Sequence, residues 1–556
     1  MADRRYDVEV RNRSLKVMRA STSLVASMLV ASVLHAQGRP GAPQQLSATA
    51  TGTTVSVRWS APSAGGQPGA YLLEVGSTAG ASNLAILPQG ESASTTTVTA
   101  VAAGTYFIRV RAVANGTAGD PSNEVSVTVS AGGGAAAGQV TGLGQSCTTA
   151  GAIGLRDGAF MVCDAGKWRY ALSADVPNSP LGAPSRPAWY PPLSAALGSK
   201  ATCPTGGVRL SYSPLPVDQL SSLIPYGLMT GDHVTPIDHG YLVPKSATDP
   251  QHPDTSAPWL PVIAAASGTI VEASSLGQPT SSRVVIDHGC GVYTVYMVIN
   301  RLTGVLAPYA DRVSRGEYIP LSLPVEAGAE FGQQRDNPLD FNVFDQAVWQ
   351  PGFGSLFAYA GEVWKPYTAD PTPYYSPTVA SAFDALSLRR ESPKWGRIDY
   401  STLGTAAGNW FLSETLGYSC ISEADARSAT APLSIGQLPG RNTYAYCHLS
   451  LSPHWVTPSS TVASLGWYRD PAGDPTQFVI RLAAGQPGPG AMTTLDGKQV
   501  YELVQPMQDG TPGEVVLAVM AVRVNADGTL TVEVVPDARS AASFTGFSDR
   551  QRTYRR

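Results

Sequence analysis

The sequence predicts a mostly β, multidomain protein, and three observations support this fold class. The chain has 556 residues, whereas a single hydrophobic core stops growing near ~250 residues. Its 56 glycines and 44 prolines are typical of strands joined by turns. Apolar and polar residues alternate in many short runs, and long amphipathic helices are not evident. We therefore expect several β-rich units in series.

The composition indicates a globular chain and argues against one class of partner. Hydrophobic residues make up 43% of the sequence and charged residues 14%, which is too apolar for a disordered protein. The net charge is −4, and no basic tract is long enough to form a phosphate-binding stripe. We therefore expect no nucleic-acid partner.

The N-terminus has the features of a secretory signal peptide. Basic residues precede the apolar run SLVASMLVASVL, which ends near the small residue Ala36. We assign residues 1–36 to a signal peptide cleaved after Ala36; the alternative is an uncleaved membrane anchor, for which the run is short. No later stretch is apolar for long enough to span a bilayer. The predicted location is the periplasm, the outer surface or the extracellular space.

The sequence contains six cysteines, an even number that indicates disulfide bonds in an exported chain. Sequence proximity favours pairing of Cys147 with Cys163 and of Cys420 with Cys447, which leaves Cys203 for Cys290. Other pairings are arithmetically possible. A structural zinc site is the competing use of these residues, but no C-x-x-C spacing supports it.

Residues 41–130 resemble a fibronectin type III module. VSVRW, AYLLEVG and TYFIRVRAVANGTAGDPSNEVSVTV are similar to strands of that family. Alternation places Tyr106, Ile108, Val110 and Ala112 on one face of a strand, with arginines on the other, as in a β-sandwich. The resemblance implies a spacer or an adhesive surface.

Three shorter segments follow this module. Residues 131–138, AGGGAAAG, are predicted to form a flexible linker. Residues 139–175 hold two cysteines and a G-x-W motif, and they resemble the small disulfide-closed tip domains of shufflon-type pilus proteins; a stapled unit with no activity of its own is the alternative. Residues 176–200 are proline-rich and predict a stiff, extended linker.

The central unit, residues 201–388, carries the most informative pattern. PVIAAASGTI, IDHGCGVYTVYMVI and LDFNVFD stand in the order and spacing of the lysostaphin-like zinc peptidases, which cut peptidoglycan cross-bridges. The resemblance implies an antiparallel β domain, in which Pro261 to Ile270 match the family's second element, Ile286 to Ile299 its hairpin and Leu339 to Asp345 its closing strand. Residues 351–388 are either an insertion or a lid against this unit.

The residues that the family uses for chemistry are replaced in this sequence. Val298 stands at the histidine position of the hairpin, and Pro338 and Asp340 stand at the two histidine positions of the closing strand. A zinc hydrolase needs three protein ligands, an open position for water and a group that transfers a proton. We therefore predict a peptidase-like fold with a degenerate active site and assign no catalytic residue.

An altered metal site is a further possibility at this position. If His239 takes the place of the family's first-strand aspartate and faces Asp340, His233 is a third candidate ligand for zinc. The alternative is a hydrogen-bonded pair of His239 and Asp340 that holds two strands in register. His288 is interpreted as a turn residue. No cofactor is expected, although zinc is possible.

The C-terminal unit, residues 389–556, predicts a β-rich domain. Strand candidates recur through it, and its final segment, FTGFSDRQRTYRR, is expected to pack back through Phe544, Phe547 and Tyr554.

These predictions combine into an exported bacterial cell-envelope or surface protein whose peptidase-like domain serves binding or assembly. The expected partner is a cell-wall glycan or peptide, or another envelope protein. One alternative is an enzyme, a zinc-dependent peptidoglycan endopeptidase with an altered ligand set. A further alternative is a pilus-tip or adhesin-like protein. Whether the chain is an enzyme stays open at this point, with a non-catalytic role favoured.

Overall fold

A computed structural model describes most of the chain after the predicted signal peptide. The described residues are 39–556 with the exception of 52–53, 91–92, 99–103, 115–116, 130–139, 141, 157, 177–180, 183–184, 250, 279, 434–436, 439–440, 443–444, 469–474 and 507–510. The predicted signal peptide and the predicted 131–138 linker therefore lie outside the described residues. Within the described part of the chain, no helix combines the length and the apolar character that a bilayer crossing requires.

The N-terminal unit is a sandwich of two antiparallel sheets. One sheet has the order β1-β2-β5, and the other has the order β4-β3-β6-β7 with β8 also paired to β6. Its strands are β1 Gln44–Thr51, β2 Thr54–Ser60, β3 Ala70–Gly76, β4 Ala85–Gly90, β5 Thr95–Val98, β6 Gly104–Ala114, β7 Thr117–Pro121 and β8 Val125–Val129.

The alternation predicted for β6 is observed. Tyr106, Ile108, Val110 and Ala112 are buried in the sandwich core, where they pack with Trp59 and neighbouring strands. The intervening arginines, Arg109 and Arg111, lie on the other face and both pair with Glu74. The arginine face of β6 is charged and the opposite face forms the core, as in a strand with one solvent-facing side.

The cysteine-containing unit that follows forms a small antiparallel sheet of order β11-β10-β9. The apolar face of this small sheet shares a hydrophobic core with the central sheet. Phe160 packs edge-on against Trp189 and stacks near Phe357, and all three belong to the same core as the central sheet. Tyr190, from the proline-rich segment, is also buried in this core. The strands are β9 Ile153–Arg156, β10 Ala159–Asp164 and β11 Lys167–Tyr170.

The central unit is built on one large antiparallel sheet of order β12-β13-β21-β17-β16-β15-β19, with β22 paired to β21, and a smaller sheet of order β14-β20-β18. The strands are β12 Leu220–Ile224, β13 Gly240–Pro244, β14 Leu260–Ile263, β15 Gly268–Gln278, β16 Ser281–Asp287, β17 Val292–Ile299, β18 Arg301–Leu302, β19 Tyr318–Val325, β20 Glu330–Gln334, β21 Leu339–Asp345 and β22 Thr368–Ala369.

Helices are short and lie mostly between strands. The α-helices are α1 Leu193–Leu197, α2 Ala310–Ser314, α3 Pro377–Leu386 and α4 Glu423–Ser428. The 3-10 helices are Ser173–Asp175, Val217–Gln219, Lys245–Ala247, Gly304–Tyr309, Leu356–Glu362, Lys365–Tyr367, Thr372–Tyr374, Gly417–Ser419, Thr494–Asp496 and Ala541–Ser543.

The segment 351–388 covers the central sheet. Phe357, Tyr359 and Tyr367 are buried in the central core, and β22 adds to the edge of β21. The core also extends past residue 388, because Trp395 is fully buried against Phe341 and Phe383. The central sheet is therefore packed from both preceding and following segments.

The described C-terminal strands form a closed barrel of order β23-β26-β27-β28-β29-β30-β31-β32, and a separate pair, β24 and β25, lies outside it. The strands are β23 Gly408–Leu412, β24 Gln437–Leu438, β25 Arg441–Asn442, β26 His448–Pro453, β27 Thr461–Leu465, β28 Thr476–Arg481, β29 Lys498–Pro506, β30 Pro512–Val524, β31 Leu530–Pro536 and β32 Arg552–Arg555.

The last strand closes the barrel, since β32 pairs with both β23 and β31. Tyr554 points into the barrel core, and Phe544 and Phe547 pack on a smaller apolar cluster. The C-terminal segment thus packs back through the three aromatic residues named from the sequence. Closure removes the exposed strand edges that an open sheet would leave.

Three disulfides pair all six cysteines of the sequence. They join Cys147 to Cys163, Cys203 to Cys290 and Cys420 to Cys447, and no cysteine is free. These are the pairings that sequence proximity favoured.

Candidate functional site

The candidate site lies where the loop before β13 meets β21. Asp238 and His239 immediately precede β13, and the register places Tyr241 opposite Asp340 of β21. Because directly opposed residues of an antiparallel pair share a face, these side chains converge. His239, Asp238 and Asp340 are all at least nine-tenths buried, with exposures of 7%, 6% and 6%.

His239 is held between two carboxylates. Its Nδ1 lies 3.2 Å from Oδ1 of Asp238, and its Nε2 lies 3.3 Å from Oδ2 of Asp340. The hydroxyl of Tyr241 also lies 3.3 Å from Nε2. Both ring nitrogens are therefore engaged, and the predicted meeting of His239 with Asp340 is present in the structure.

Each carboxylate retains an unused oxygen. Oδ2 of Asp238 and Oδ1 of Asp340 are buried without a hydrogen-bond partner among the described residues. Unsatisfied buried oxygens of this kind are uncommon in folded proteins and favour protonation of one carboxyl.

The electrostatics of the three groups are interdependent. Burial raises the pKa of Asp340 to about 7, with the charge of His239 opposing this shift. Burial would also raise the pKa of Asp238, but the hydrogen bond from His239 and the charge of Lys365 lower it to about 2. Burial disfavours a charged His239, yet the two carboxylates together raise its pKa above the usual value. The cluster thus binds protons tightly at Asp340 and His239.

A second polar network adjoins this cluster, and two of its residues, Glu362 and Lys365, come from the segment 351–388 that covers the central sheet. Nζ of Lys365 lies 2.9 Å from Oε2 of Glu362 and donates to the hydroxyl of Tyr418 at 2.7 Å. That hydroxyl is also 2.7 Å from Oγ1 of Thr235, four residues before His239. Lys365, Tyr418 and Thr235 are at most 3% exposed. We call Thr235, Glu362, Lys365 and Tyr418 the covering network.

The two networks are electrostatically coupled through Lys365. Its ammonium charge contributes to lowering the pKa of Asp238 and opposes the positive charge of His239. A fixed cation near a carboxylate neutralises charge that would otherwise attract a metal ion. The covering network therefore supplies a resident positive charge beside the cluster.

Val298, which the resemblance to the zinc peptidases aligned with a histidine, has an unusual backbone conformation. Val298 has a φ of 61°, a left-handed conformation that is unusual for a β-branched residue. Its carbonyl accepts a hydrogen bond from the buried amide of Gln334, which also donates to the carbonyl of Pro338. The register then places Met297, not Val298, opposite Asp340. At Val298 and Pro338, the hydrogen bonds to Gln334 are therefore made by backbone carbonyls.

His288 has a structural role in the hairpin turn. Its Nδ1 lies 2.9 Å from the carbonyl oxygen of Ser267, and its Nε2 lies 2.7 Å from Oγ1 of Thr294. The side chain is 2% exposed, and burial lowers its pKa. These contacts fit the interpretation of His288 as a turn residue.

The predicted metal set of His233, His239 and Asp340 is not drawn together into one cluster. The rings of His233 and His239 are 6.2 Å apart between centroids, edge to face, and His233 is exposed. In the described part of the chain, no three side chains of the His, Cys, Asp and Glu types are arranged to hold a metal ion. Zinc binding by this set stays a prediction.

Sequence reasoning missed the covering network. Lys365 lies in an aromatic stretch, VWKPY, and Tyr418 in a short turn, and neither has a motif around it. The one local signal was a lysine within a segment otherwise rich in aromatic residues. His448 was also assigned no role, yet it is fully buried beside Tyr418, and burial lowers its pKa to about 3.

Comparison with known proteins identifies one part of the chain. Residues 41–128 match the model of the fibronectin type III domain. A Fn3-like protein from Clostridium thermocellum is 25% identical over 16% of this chain and 93% of that chain, with a TM-score of 0.15. The FN5 domain of Drosophila Lar is 24% identical over 17% of this chain and 99% of that chain, with a TM-score of 0.14.

No curated protein matches the chain significantly. The family match agrees with the two-sheet sandwich and with the resemblance seen in its strands. Residues 41–128 of this protein are therefore a fibronectin type III domain.

Proposed function

We propose that this protein is an exported cell-envelope or surface protein whose central unit, of lysostaphin-like fold, serves binding or assembly rather than catalysis. The observation that carries this proposal is the covering network. Lys365 is buried beside the polar cluster, where it pairs with Glu362, donates to Tyr418 and acts by its charge on Asp238 and His239.

The extracellular part of the proposal is supported by two features. The chain contains a fibronectin type III domain, a module consistent with surface display or binding. All six cysteines are paired in disulfides, which persist in oxidising compartments. Both features fit export and agree with the signal peptide predicted from residues 1–36.

The lysostaphin-like part rests on the position of the strands. The matched segment Leu339 to Asp345 coincides with β21, and the matched hairpin Ile286 to Ile299 spans the end of β16 and all of β17. These strands are neighbours in an antiparallel sheet, as the resemblance implies. We take this agreement as support for a common scaffold.

The non-catalytic part rests on chemistry. A hydrolytic zinc site keeps one position open to water beside three protein ligands. In this chain both nitrogens of His239 are occupied by Asp238, Asp340 and Tyr241, and the cluster is buried. The nearby ammonium of Lys365 disfavours a divalent cation. A polar cluster of this kind can instead fix the loop before β13 against β21.

A zinc endopeptidase with an altered ligand set is the second candidate. The observation in its favour is the contact between His239 and Asp340, which places a nitrogen and an oxygen donor side by side. Hydrolysis by this pair would require water and substrate to reach a cluster that is now buried. We propose no separate pilus-tip role, because the 139–175 unit shares the core of the central sheet.

Co-sedimentation with purified peptidoglycan sacculi tests the proposal. The chain without its predicted signal peptide is mixed with sacculi, and bound protein and released soluble fragments are measured together. We expect the protein to pellet with sacculi, to release no fragments, and to behave in the same way when His239 is replaced by Gln.

Two results would contradict the proposal. Release of soluble fragments that is lost in the His239→Gln variant would favour the endopeptidase. Failure to pellet with sacculi would remove the cell wall as the partner and direct attention to an envelope protein.

A further inference from the structure

The C-terminal barrel has a pocket of about 380 Å³ at one end. Its walls come from strands on both sides of β23, which pairs with β32 to close the barrel. They are the start of β26, the end of β27, the end of β31 and the start of β32. Pockets for small ligands have volumes of about 300 to 1,000 Å³. An eight-stranded barrel is wide enough to hold side chains or one small ligand. The volume of the pocket is therefore sufficient for one small ligand.

The floor of this pocket is the core of the barrel. Leu449, Leu465, Val532 and Val534 line the pocket and are each at most 8% exposed. These residues occupy alternate positions of their strands and therefore point inward. Apart from Tyr554, which also lines the pocket, the buried side chains of its lining are therefore apolar.

The rim of the pocket carries positive charge. Arg550 and Arg552 line it together with Trp467 and Tyr468, and the guanidinium of Arg552 lies 5.2 Å from the ring centroid of Trp467. One carboxylate, Asp537, also lies on the rim. Two guanidinium groups against one carboxylate leave the opening net positive.

Arg550 and Arg552 form few interactions with other side chains. Among the described residues neither forms an ion pair, and Arg550 makes no side-chain hydrogen bond. The guanidinium of Arg552 donates to the backbone carbonyls of Arg550 and Gln551 at 3.4 and 3.2 Å. A guanidinium offers five N–H donors in a planar fork that suits carboxylate and phosphate oxygens. Most of these donors are therefore available to a ligand.

We propose that the barrel pocket binds a small amphiphilic anion, with its acid group at Arg550 and Arg552 and its apolar part on the floor formed by Leu449, Leu465, Val532 and Val534. This site is separate from the polar cluster of the central unit and independent of the function proposed above. The ligand class follows from the pairing of an apolar floor with a net positive rim.

Calorimetric titration with three eight-carbon probes tests this assignment. Octanoate, octanol and octyltrimethylammonium have the same apolar chain and differ in charge. We expect octanoate to bind with one site per chain and at least about tenfold more tightly than octyltrimethylammonium, since a charge-assisted hydrogen bond contributes about a factor of ten or more. Octanol is expected to bind more weakly than octanoate.

Substitutions test separately what the two arginines and the apolar floor contribute to binding. The double variant Arg550→Gln and Arg552→Gln should weaken octanoate binding about tenfold and leave octanol binding unchanged. Val534→Trp should abolish binding of both by filling the pocket. Arg523→Gln changes an exposed arginine on the same barrel that stacks on Phe547, and it should have no effect.

Thermal unfolding of each variant shows whether it retains the fold. No binding of octanoate to the wild-type chain would overturn the proposal. Equal binding of the anionic and cationic probes, or unchanged octanoate binding in the double arginine variant, would also overturn it.

Discussion

His239, in the loop before β13, contacts Asp340 of β21, with Nε2 of the histidine 3.3 Å from Oδ2 of the aspartate. On the other side of the ring, Nδ1 faces Asp238. The sequence predicted the pairing of His239 with Asp340 as one of two alternatives. The pairing links the loop before β13 to β21, and Lys365 of the covering network acts by its charge on Asp238 and His239.

The first prediction concerns pH. The pKa of Asp340 is raised to about 7, mainly by burial, and that of His239 is also raised, so these two groups bind more protons in the folded chain than in the unfolded chain. The contribution of these two groups to stability therefore falls as the pH rises from about 4, the ordinary aspartate value, to about 7. The buried His288 and His448, whose pKa values are lowered, contribute in the opposite direction. One fully released proton corresponds to about 1.4 kcal/mol per pH unit.

The Asp340→Asn variant tests this linkage. We expect the thermal midpoint of the wild type, relative to that of Asp340→Asn, to decrease between pH 5 and pH 8. The exposed carboxylate of Asp311 on α2 provides the matched control, Asp311→Asn, which should keep the wild-type slope. An identical pH slope in wild type and Asp340→Asn would show that Asp340 does not titrate in this range.

The second prediction concerns the covering network. Lys365→Met removes the ammonium that pairs with Glu362 and donates to Tyr418. Breaking a buried pair in this way leaves its partners unsatisfied, and we expect a loss of about 3 kcal/mol in the free energy of unfolding. Denaturant unfolding measures the loss.

Lys200→Met is the control for this variant, since Lys200 is exposed. It should change the free energy of unfolding by no more than about 0.5 kcal/mol. A Lys365→Met chain as stable as the control would mean that the network contributes little to the fold.

The third prediction compares two disulfides. Cys203 and Cys290 are separated by 87 positions, whereas Cys147 and Cys163 are separated by 16. In the chain-entropy model, the longer loop constrains the unfolded chain more. Replacing both cysteines by serine should therefore cost about 1 to 1.5 kcal/mol more for the Cys203 pair than for the Cys147 pair. Equal shifts in the unfolding midpoints of the two double variants would contradict this order.

The fourth prediction concerns closure of the barrel. Tyr554 is 4% exposed and lies on β32, the strand that joins β31 to β23. Tyr554→Ala should cost about 3 to 5 kcal/mol because it empties part of the barrel core. Its neighbour Thr553 is exposed on the same strand, and Thr553→Ala should be nearly neutral. Similar denaturation midpoints for the two variants would place β32 outside the folding core.

Local patterns accounted for much of the fold. The alternation of Tyr106, Ile108 and Val110 identified a sandwich strand, and the glycine-rich turn after His288 identified a hairpin. Both signals are carried by neighbouring residues, so the sequence displays them directly. The final aromatic residues likewise indicated that the C-terminus packs back, and Tyr554 enters the barrel core.

Closure of the barrel and the covering network had no such local signal. β23 and β32 pair across some 140 residues, as the contact of Arg555 with Thr415 illustrates. β27, with the short sequence TVASL, lacks the strong alternation of its neighbours and was not identified as a strand. Lys365 and Tyr418 meet across 53 positions. Long-range contacts of this kind depend on the topology and not on residue spacing.

Metal content combined with cell-wall turbidity tests the central claim most directly. The claim is that the central unit has kept a peptidase-like scaffold without a working zinc centre. Elemental analysis of the purified chain after incubation with zinc should find well below one zinc per molecule, and the turbidity of a cell-wall suspension should stay constant. Stoichiometric zinc together with lysis that disappears in His239→Ala would contradict the account.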